Sequence, residues 1–372
     1  MGSMGSMGSM AYGEQTTLWD RKRRAGQRLV VSLPGPRVND EVRWLCQETA
    51  PAGFILFSRN IEEPEQIYEL NRELTSLLPD SLPPLLCVDQ EGGRVQRLRG
   101  TDWPAARWLG NLDDPQATRR VASRLGAELA SVGFNICLAP VADVADGPAE
   151  GPIGDRSFSG DPDRCARHVV AFLSGLRHAG VGGMLKHFPG LGLATVDSHE
   201  ALPDIELDRP DLERRDLTPF RAAMAAGANA VMAAHARYPA YDEDWPASLS
   251  PRLLQGLLRR DMSFEGVIMT DDLEMGALKR WSLEERVMAA VQADADLLLF
   301  CGAPTRPLEA FERLIRIQED DPASTAFQDS ARRLMRLREE TLLGRPTPMP
   351  FRIIGNPQHR DLAMLIRARG GA

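Results

Sequence analysis

Two histidines, a lysine and an aspartate that could do chemistry fall within one stretch, Gly182 to Pro203, which reads GGMLKHFPGLGLATVDSHEALP. The apolar run Gly183-Met184-Leu185 ends in Lys186 and His187, and a loop then carries Asp197, Ser198 and His199. In extended backbone, residues two apart project to the same side, so the Asp197 carboxylate can meet the His199 imidazole. An aspartate so placed fixes the histidine's tautomer and favours its protonated form, which suits the pair to give and take a proton near neutral pH. An isolated Asp-Ser-His reads equally well as a capped turn beside a solvated histidine, so the pair needs support from the rest of the chain. The Pro189-Gly190-Leu191-Gly192 segment interrupts helix and strand alike and puts these groups on a shaped loop, where chemistry on rigid scaffolds is usually placed.

A second chemical stretch is Val267 to Met275, an apolar strand-like run that turns polar at Asp271 and Asp272. Successive strand side chains face opposite ways, so one of the two aspartates can enter a pocket, and parity alone does not choose between them. Caps for a following helix are the bland alternative.

The elements that must position these groups alternate. Candidate strands are Leu29–Leu33, Phe54–Phe57, Leu85–Val88, Ile136–Pro140, Gly183–Leu185, Ala230–Ala233, Val267–Met269 and Leu297–Phe300. Helical patterns between them include Pro64–Leu78, Ala117–Val132, Pro162–His178, Leu212–Ala226, Pro251–Arg260 and Leu283–Gln292. Repeated strand-then-helix order implies parallel strands, and eight units suit an α/β fold of the (β/α)8 barrel type in a single domain. Polar groups stand just past the apolar runs: Ser58-Arg59-Asn60, Asp89-Gln90-Glu91, Asp143, Lys186-His187, His235 and Asp271-Asp272. In a barrel these strand ends converge on the face that carries active sites. An open doubly wound sheet would instead show a phosphate-binding glycine loop after an early strand, and Gly190-Leu191-Gly192 is a lone fragment after the fifth. The expected division is a disordered or tag-like extension and lead-in over residues 1–27, a catalytic barrel over 28–344, and a terminal segment over 345–372 packed on the barrel, opening with Pro346, Pro348 and Pro350.

The 372-residue chain has 44 Lys and Arg against 52 Asp and Glu, a net charge of −8 that argues against a nucleic-acid partner. Its five cysteines are odd in number and form no C-x-x-C pair, which reads as buried thiols of a reducing, cytoplasmic compartment, with Cys87, Cys137 and Cys301 in core packing. No apolar segment approaches the ~20 residues of a membrane helix. The initial Met-Gly-Ser repeat lacks the apolar region of a secretory signal. No metal-ligand spacing appears, so no metal or cofactor is implied. His168, His178 and His359 are expected in surface or satisfied-core positions, and the choice between monomer and small homo-oligomer stays open.

The stretch K-H-F-P-G-x-G followed by D-S-H resembles the signature of the family 3 glycoside hydrolases, specifically the single-domain β-N-acetylhexosaminidases of the NagZ type. Three further segments resemble the same family in its order: Val88-Asp89-Gln90-Glu91-Gly92-Gly93-Arg94-Val95-Gln96-Arg97, Asp155-Arg156-Ser157-Phe158 and Thr270-Asp271-Asp272-Leu273-Glu274-Met275. The resemblance runs from about Leu29 to Cys301. It implies Asp271 as nucleophile, His199 as acid/base and Asp197 as its orienting partner. It also implies sugar-hydroxyl binding by Asp89, Arg97, Arg156, Lys186 and His187, with His235 on the pocket wall. A carboxylate and a guanidinium suit such work because directional acceptors and donors discriminate the stereochemistry of vicinal hydroxyls. Arg94 reads as salt-bridged framework. One position departs from the family pattern: Leu191 stands where a second histidine is usual, which bears on the loop conformation or the aglycone side.

The implied activity is retaining hydrolysis of terminal β-linked N-acetylglucosamine, with peptidoglycan or muropeptide fragments as the carbohydrate partner and no cofactor. Alternatives on the same scaffold are a phosphorylase, because a neutral histidine repels phosphate less than a carboxylate does, a β-glucosidase, or an inactive glycan-binding barrel.

Overall fold

The computed structural model describes residues 20–148, 151–302, 304–342 and 350–371; the Met-Gly-Ser repeat, Pro346 and Pro348 lie outside them. The apolar runs form β1 (Leu29–Ser32), β2 (Gly53–Leu56) and β3 (Leu85–Val88), followed by a hairpin, β4 (Gln90–Gly92) and β5 (Val95–Gln96). Then come β6 (Ile136–Cys137), β7 (Gly182–Gly183), β8 (Leu185–Phe188), β9 (Ala230–Ala233), β10 (Val267–Asp272) and β11 (Leu297–Phe300). Outside the hairpin every strand pairing is parallel, in the order β7-β6-β3-β2-β1-β11-β10-β9-β8. The two ends of that order, β7 and β8, are separated in sequence by Met184 alone and are one interrupted strand. With β7 on β6 and β8 on β9, the ring closes into a (β/α)8 barrel.

Side-chain parity builds the two layers of the core. Val30, Ile55, Leu85, Cys87, Ile136, Met232, Met269, Leu297 and Leu299 meet inside the barrel. Their strand neighbours Leu29, Val31, Phe54, Leu56, Leu86, Val88, Leu298 and Phe300 pack outward against the helices. Strands buried on both faces have no polar side, which is why they read as continuous apolar runs. The helix Ala326–Leu342 closes the N-terminal end by adding Leu334 and Leu337 to the inner cluster. Its Arg338 donates to the carbonyls of Pro83 (2.8 Å) and Ala52 (3.2 Å), the lead-ins to β3 and β2, and burial pushes that guanidinium down to about 10.

Some elements differ from the sequence reading. The expected strand Ile136–Pro140 is regular only over Ile136–Cys137, and its continuation meets β8 by a lone bridge, Val141 to Lys186. The expected helix Leu212–Ala226 is two helices, Arg209–Arg214 and Leu217–Ala225. Between them lies the buried Asp216, whose carboxylate oxygens accept from Arg215 Nη1 at 2.7 and 2.9 Å. Among the described residues, helices beyond those expected from the sequence include Asp40–Thr49, Ala106–Leu112, Thr305–Asp320, Ala326–Leu342 and Pro357–Gly370. Among the described residues, no helix is long and apolar enough to cross a membrane.

The C-terminal helix Pro357–Gly370 packs on the helices Ala106–Leu112 and Pro115–Ser131. A buried carboxylate ties it down: Glu128 accepts from Thr101 Oγ1 (2.6 Å), Trp103 Nε1 (3.0 Å), Gly355 N (3.1 Å) and His359 Nδ1 (2.7 Å). Removing that acceptor leaves several buried donors unpaired. Glu128→Ala is therefore expected to cost roughly 3–5 kcal/mol, a fall in Tm of about 4–6 °C in thermal denaturation. An unchanged Tm would mean that these donors find other partners.

Candidate active site

At the C-terminal mouth of the barrel lies a cavity of about 330 Å³. Eight of the nine residues singled out from the sequence line it: Asp89, Arg97, Arg156, Lys186, His187, Asp197, His199 and Asp271. The exception is His235, which is fully buried one layer behind the wall and not on it. Its Nε2 donates to the Asp272 carbonyl (2.9 Å), so Nδ1 accepts from Ser248 Oγ (2.6 Å). Burial pushes its pKa down, against the opposing pull of the Asp271 charge.

One wall is a buried ionic network. Lys186 Nζ lies 2.8 Å from Asp89 Oδ1 and 2.6 Å from Glu91 Oε1. Burial works to lower the Lys186 ammonium, but Asp89 and Glu91 more than offset it and its pKa is raised. Arg156 grips Glu91 with two parallel bonds of 2.8 and 2.9 Å. Burial would raise the Glu91 carboxyl, yet the charges of Arg156 and Lys186 hold it well below the usual carboxylate range. Arg97 Nη2 stands 3.8 Å from Asp89, and its buried Nε has no hydrogen-bond partner among the described residues. Glu91 is a site residue that the sequence does not single out; its place two residues after Asp89, past the end of β3, is the signal that points to it. Gln90 between them stitches the hairpin by accepting from Arg97 N (2.8 Å) and Leu98 N (3.0 Å). Arg94 pairs with Asp155 at 3.0 Å on the rim.

The second wall is organised by Asp143, which is fully buried. Its Oδ1 accepts from His187 N (3.1 Å) and Leu191 N (2.7 Å), and its Oδ2 from His187 Nδ1 (2.8 Å). The last bond leaves Nε2 as the His187 nitrogen available to a ligand. The loop can run this close to the following segment because Gly192 has no side chain: a Cβ there would sit 1.9 Å from the Val144 carbonyl oxygen. At Leu191 the backbone makes the anchoring bond, while the buried side chain joins the apolar cluster at the cavity edge. A change of side chain at 191 thus leaves the loop's attachment intact.

The parity argument at Asp271 and Asp272 fails, for both line the cavity. β10 slips against β11 between Met269 and Asp272: three residues on β10 match two on β11, Leu297 to Leu299. The extra residue of this bulge turns the second carboxylate inward. Asp271 is half-buried, and among the described residues the protein donor to its side chain is the Asp272 N–H at 2.8 Å. Burial pushes its pKa up, but His235 and His187 beside it, that N–H and His199 more than compensate and keep it below the ordinary value. Asp272 goes the other way, to about 6, because burial outweighs the N–H bonds from Glu274 and Cys301. Cys301, expected in the core, is a partly exposed lining residue.

The loop dyad stands at the rim. His199 Nδ1 donates to Asp197 Oδ1 at 2.8 Å, and the same oxygen accepts the His199 N–H at 2.9 Å, with 74% of the histidine side chain exposed. Partial burial would raise the Asp197 carboxyl; the bonds from His199 overcome that and lower it. The loop is docked on the turn after β10, where Gly276 N and Ala277 N donate to the carbonyls of His199 (3.1 Å) and Ser198 (3.0 Å). A Cβ at Gly276 would lie 2.3 Å from the His199 carbonyl oxygen. No group of His, Cys, Asp and Glu able to hold a metal is found among the described residues.

A barrel with this set of acids, bases and cations at its mouth is an enzyme scaffold, and its relatives specify the class. Residues 22–337 match the model of the glycosyl hydrolase family 3 N-terminal domain. The chain is 38% identical over 302 residues to a beta-hexosaminidase of Pseudomonas aeruginosa, covering 79% of this chain and 88% of that protein. It superposes on a family 3 β-N-acetylglucosaminidase from Paenibacillus sp. with a TM-score of 0.88 at 34% identity, covering 94% of this chain and 68% of that one. NagZ from Neisseria gonorrhoeae gives a TM-score of 0.76 at 30% identity, covering 92% and 98% respectively. The chain belongs to glycosyl hydrolase family 3 and is a glycoside hydrolase.

The Glu91 network carries a pH signature. A carboxyl whose folded pKa is depressed stabilises the fold above its unfolded pKa of ~4.3 and loses that contribution as pH falls toward the folded value. Glu91→Gln should lower Tm at pH 7, by roughly 3–5 kcal/mol in stability, and the gap to wild type should narrow below about pH 4. A gap independent of pH would assign the loss to packing.

Proposed function

We propose that this glycoside hydrolase is a retaining β-N-acetylhexosaminidase that releases terminal β-linked N-acetylglucosamine, with peptidoglycan-derived muropeptide fragments in the cytoplasm as its substrates. The single observation that carries the reading is a half-buried carboxylate, Asp271, held ionised in the same cavity as a histidine–aspartate pair. The names of its relatives, beta-hexosaminidase and β-N-acetylglucosaminidase, support the glycone. The cavity volume, near the lower end of the ~300–1,000 Å³ typical of ligand sites, suits one sugar ring.

In this scheme Asp89, Arg97, Arg156, Lys186 and His187 hold the ring hydroxyls. An Asp271 oxygen attacks the anomeric carbon as its bond to the aglycone oxygen breaks, and protonated His199 gives that oxygen its proton. Asp197 keeps the imidazole oriented by accepting from its Nδ1 at 2.8 Å. Neutral His199 then takes a proton from water, whose oxygen attacks the anomeric carbon and frees the Asp271 carboxylate. The exposure of His199 on a docked loop lets it serve both steps, admitting first the aglycone and then water.

Two variants separate the roles. Asp271→Ala should lose more than ~1000-fold in kcat with any leaving group, since covalent catalysis is gone. His199→Ala should fail on a sugar aglycone yet release dinitrophenol in a burst, because that leaving group needs no acid. Slow turnover after the burst should be relieved by azide with formation of the β-glycosyl azide. Equal losses on good and poor leaving groups, with no burst and no azide product, would remove His199 from the chemistry.

A further inference from the structure

We propose that Arg107, outside the cavity, is a positioning residue for the sugar site that acts through Arg156, and that the C-terminal helix is part of the same support. The inference rests on the reading of Arg156 as a glycone-binding residue.

Arg156 sits in the one-turn helix Gly154–Arg156, at the end of a long excursion of the chain beyond β6. The backbone bonds within that turn are local, Arg156 N to Ile153 O (3.0 Å) and Ser157 N to Gly154 O (3.4 Å), and cannot fix it relative to the barrel. Ser157 Oγ ties its far end to the Asp143 carbonyl (2.7 Å), and Arg94 holds its near side through the Gly151 (2.7 Å) and Ile153 (3.1 Å) carbonyls. Arg107 adds a clamp that spans the turn. Its Nη2 donates to the carbonyls of Gly154 (3.2 Å) and Ala145, and its Nε to that of Ser157 (3.4 Å). One guanidinium thus joins the outgoing and returning arms of the excursion on either side of Arg156. The planar fork of five N–H groups suits three carbonyls in different directions, which an ammonium cannot match.

Arg107 belongs to the helix Ala106–Leu112, seven residues long and too short to stand alone. The C-terminal helix braces it: Asn111 Nδ2 donates to Gly370 O at 3.0 Å, and the Arg367 guanidinium lies 5.4 Å from the Trp108 ring centre. That brace lies beyond the family-matched region, which ends at residue 337. A chain of contacts therefore runs from the C-terminal helix through Arg107 to the Arg156 turn and on to Glu91.

The test is a double-mutant cycle in the full-length protein with an aryl N-acetyl-β-glucosaminide, read as KM and kcat, and repeated as Kd for N-acetylglucosamine by calorimetry. Arg107→Ala should raise KM and Kd about 10-fold with kcat within about 3-fold, since a misplaced binding group weakens contacts made before the transition state. In an Arg156→Ala background the same substitution should change either value by less than about 2-fold, because its target is gone. Arg107→Lys should fall between wild type and alanine, and decides the question by the same cycle if the alanine variant does not fold. An effect of Arg107 that persists undiminished without Arg156, or no change in KM and Kd, overturns the proposal. Wild-type protein that neither binds nor cleaves the N-acetylglucosamine compounds overturns the substrate reading instead.

Discussion

Three N–H groups converge on Asp143, a side chain sealed from solvent at the mouth of the barrel, and two of the three come from the single residue His187. A buried carboxyl left without such donors costs several kcal/mol, so the loop that supplies them is bound to this position as firmly as a strand is to its sheet. The consequences spread in both directions along the chain. Lys186, one residue upstream, is delivered to Asp89 and Glu91; Leu191 and the segment to Asp197 and His199 are led outward from the same anchor. The rim and the floor of the site therefore share one attachment.

The charges are balanced by position as well as by count. Lys186 and Arg156 lie against Glu91 and Asp89 and depress the Glu91 pKa, while Asp271 has no cation bonded to it among the described residues and is kept ionised by histidines at a distance and by one N–H. Carboxylates locked into ion pairs make poor nucleophiles and good fixed acceptors; a lone ionised carboxylate facing a cavity has the opposite character. The difference divides the site into a part that binds and a part that reacts.

Much of this was legible in the sequence, and the reasons it stopped are specific. Eight apolar runs gave eight barrel positions because doubly buried strands leave an unbroken apolar signature, and the polar residues past their ends fell at the mouth. The helix Ala106–Leu112, by contrast, is too short to show a period, and the C-terminal helix borrows its stability from Glu128 and Trp103 far away in sequence. Parity gave the wrong answer at Asp271 and Asp272 because a bulge is set by the neighbouring strand, β11, whose register no local pattern reports. The family resemblance implies a wall position for His235, yet its ring turns to Ser248 and the Asp272 carbonyl. The substitution at Leu191 raised a question that only the backbone could answer, since the bond to Asp143 is made by the amide and not by the side chain.

The central claim is that the carboxylate freed from ion pairing is the one that becomes covalently bonded to the sugar. A 5-fluoro N-acetyl-β-glucosaminyl fluoride slows both chemical steps while keeping a good leaving group, so the glycosyl–enzyme accumulates and can be located by proteolysis and mass spectrometry. The account predicts one added sugar on the peptide spanning Val267–Met275, with the ester on Asp271. An ester on Asp272, or turnover with no covalent adduct at all, would contradict it.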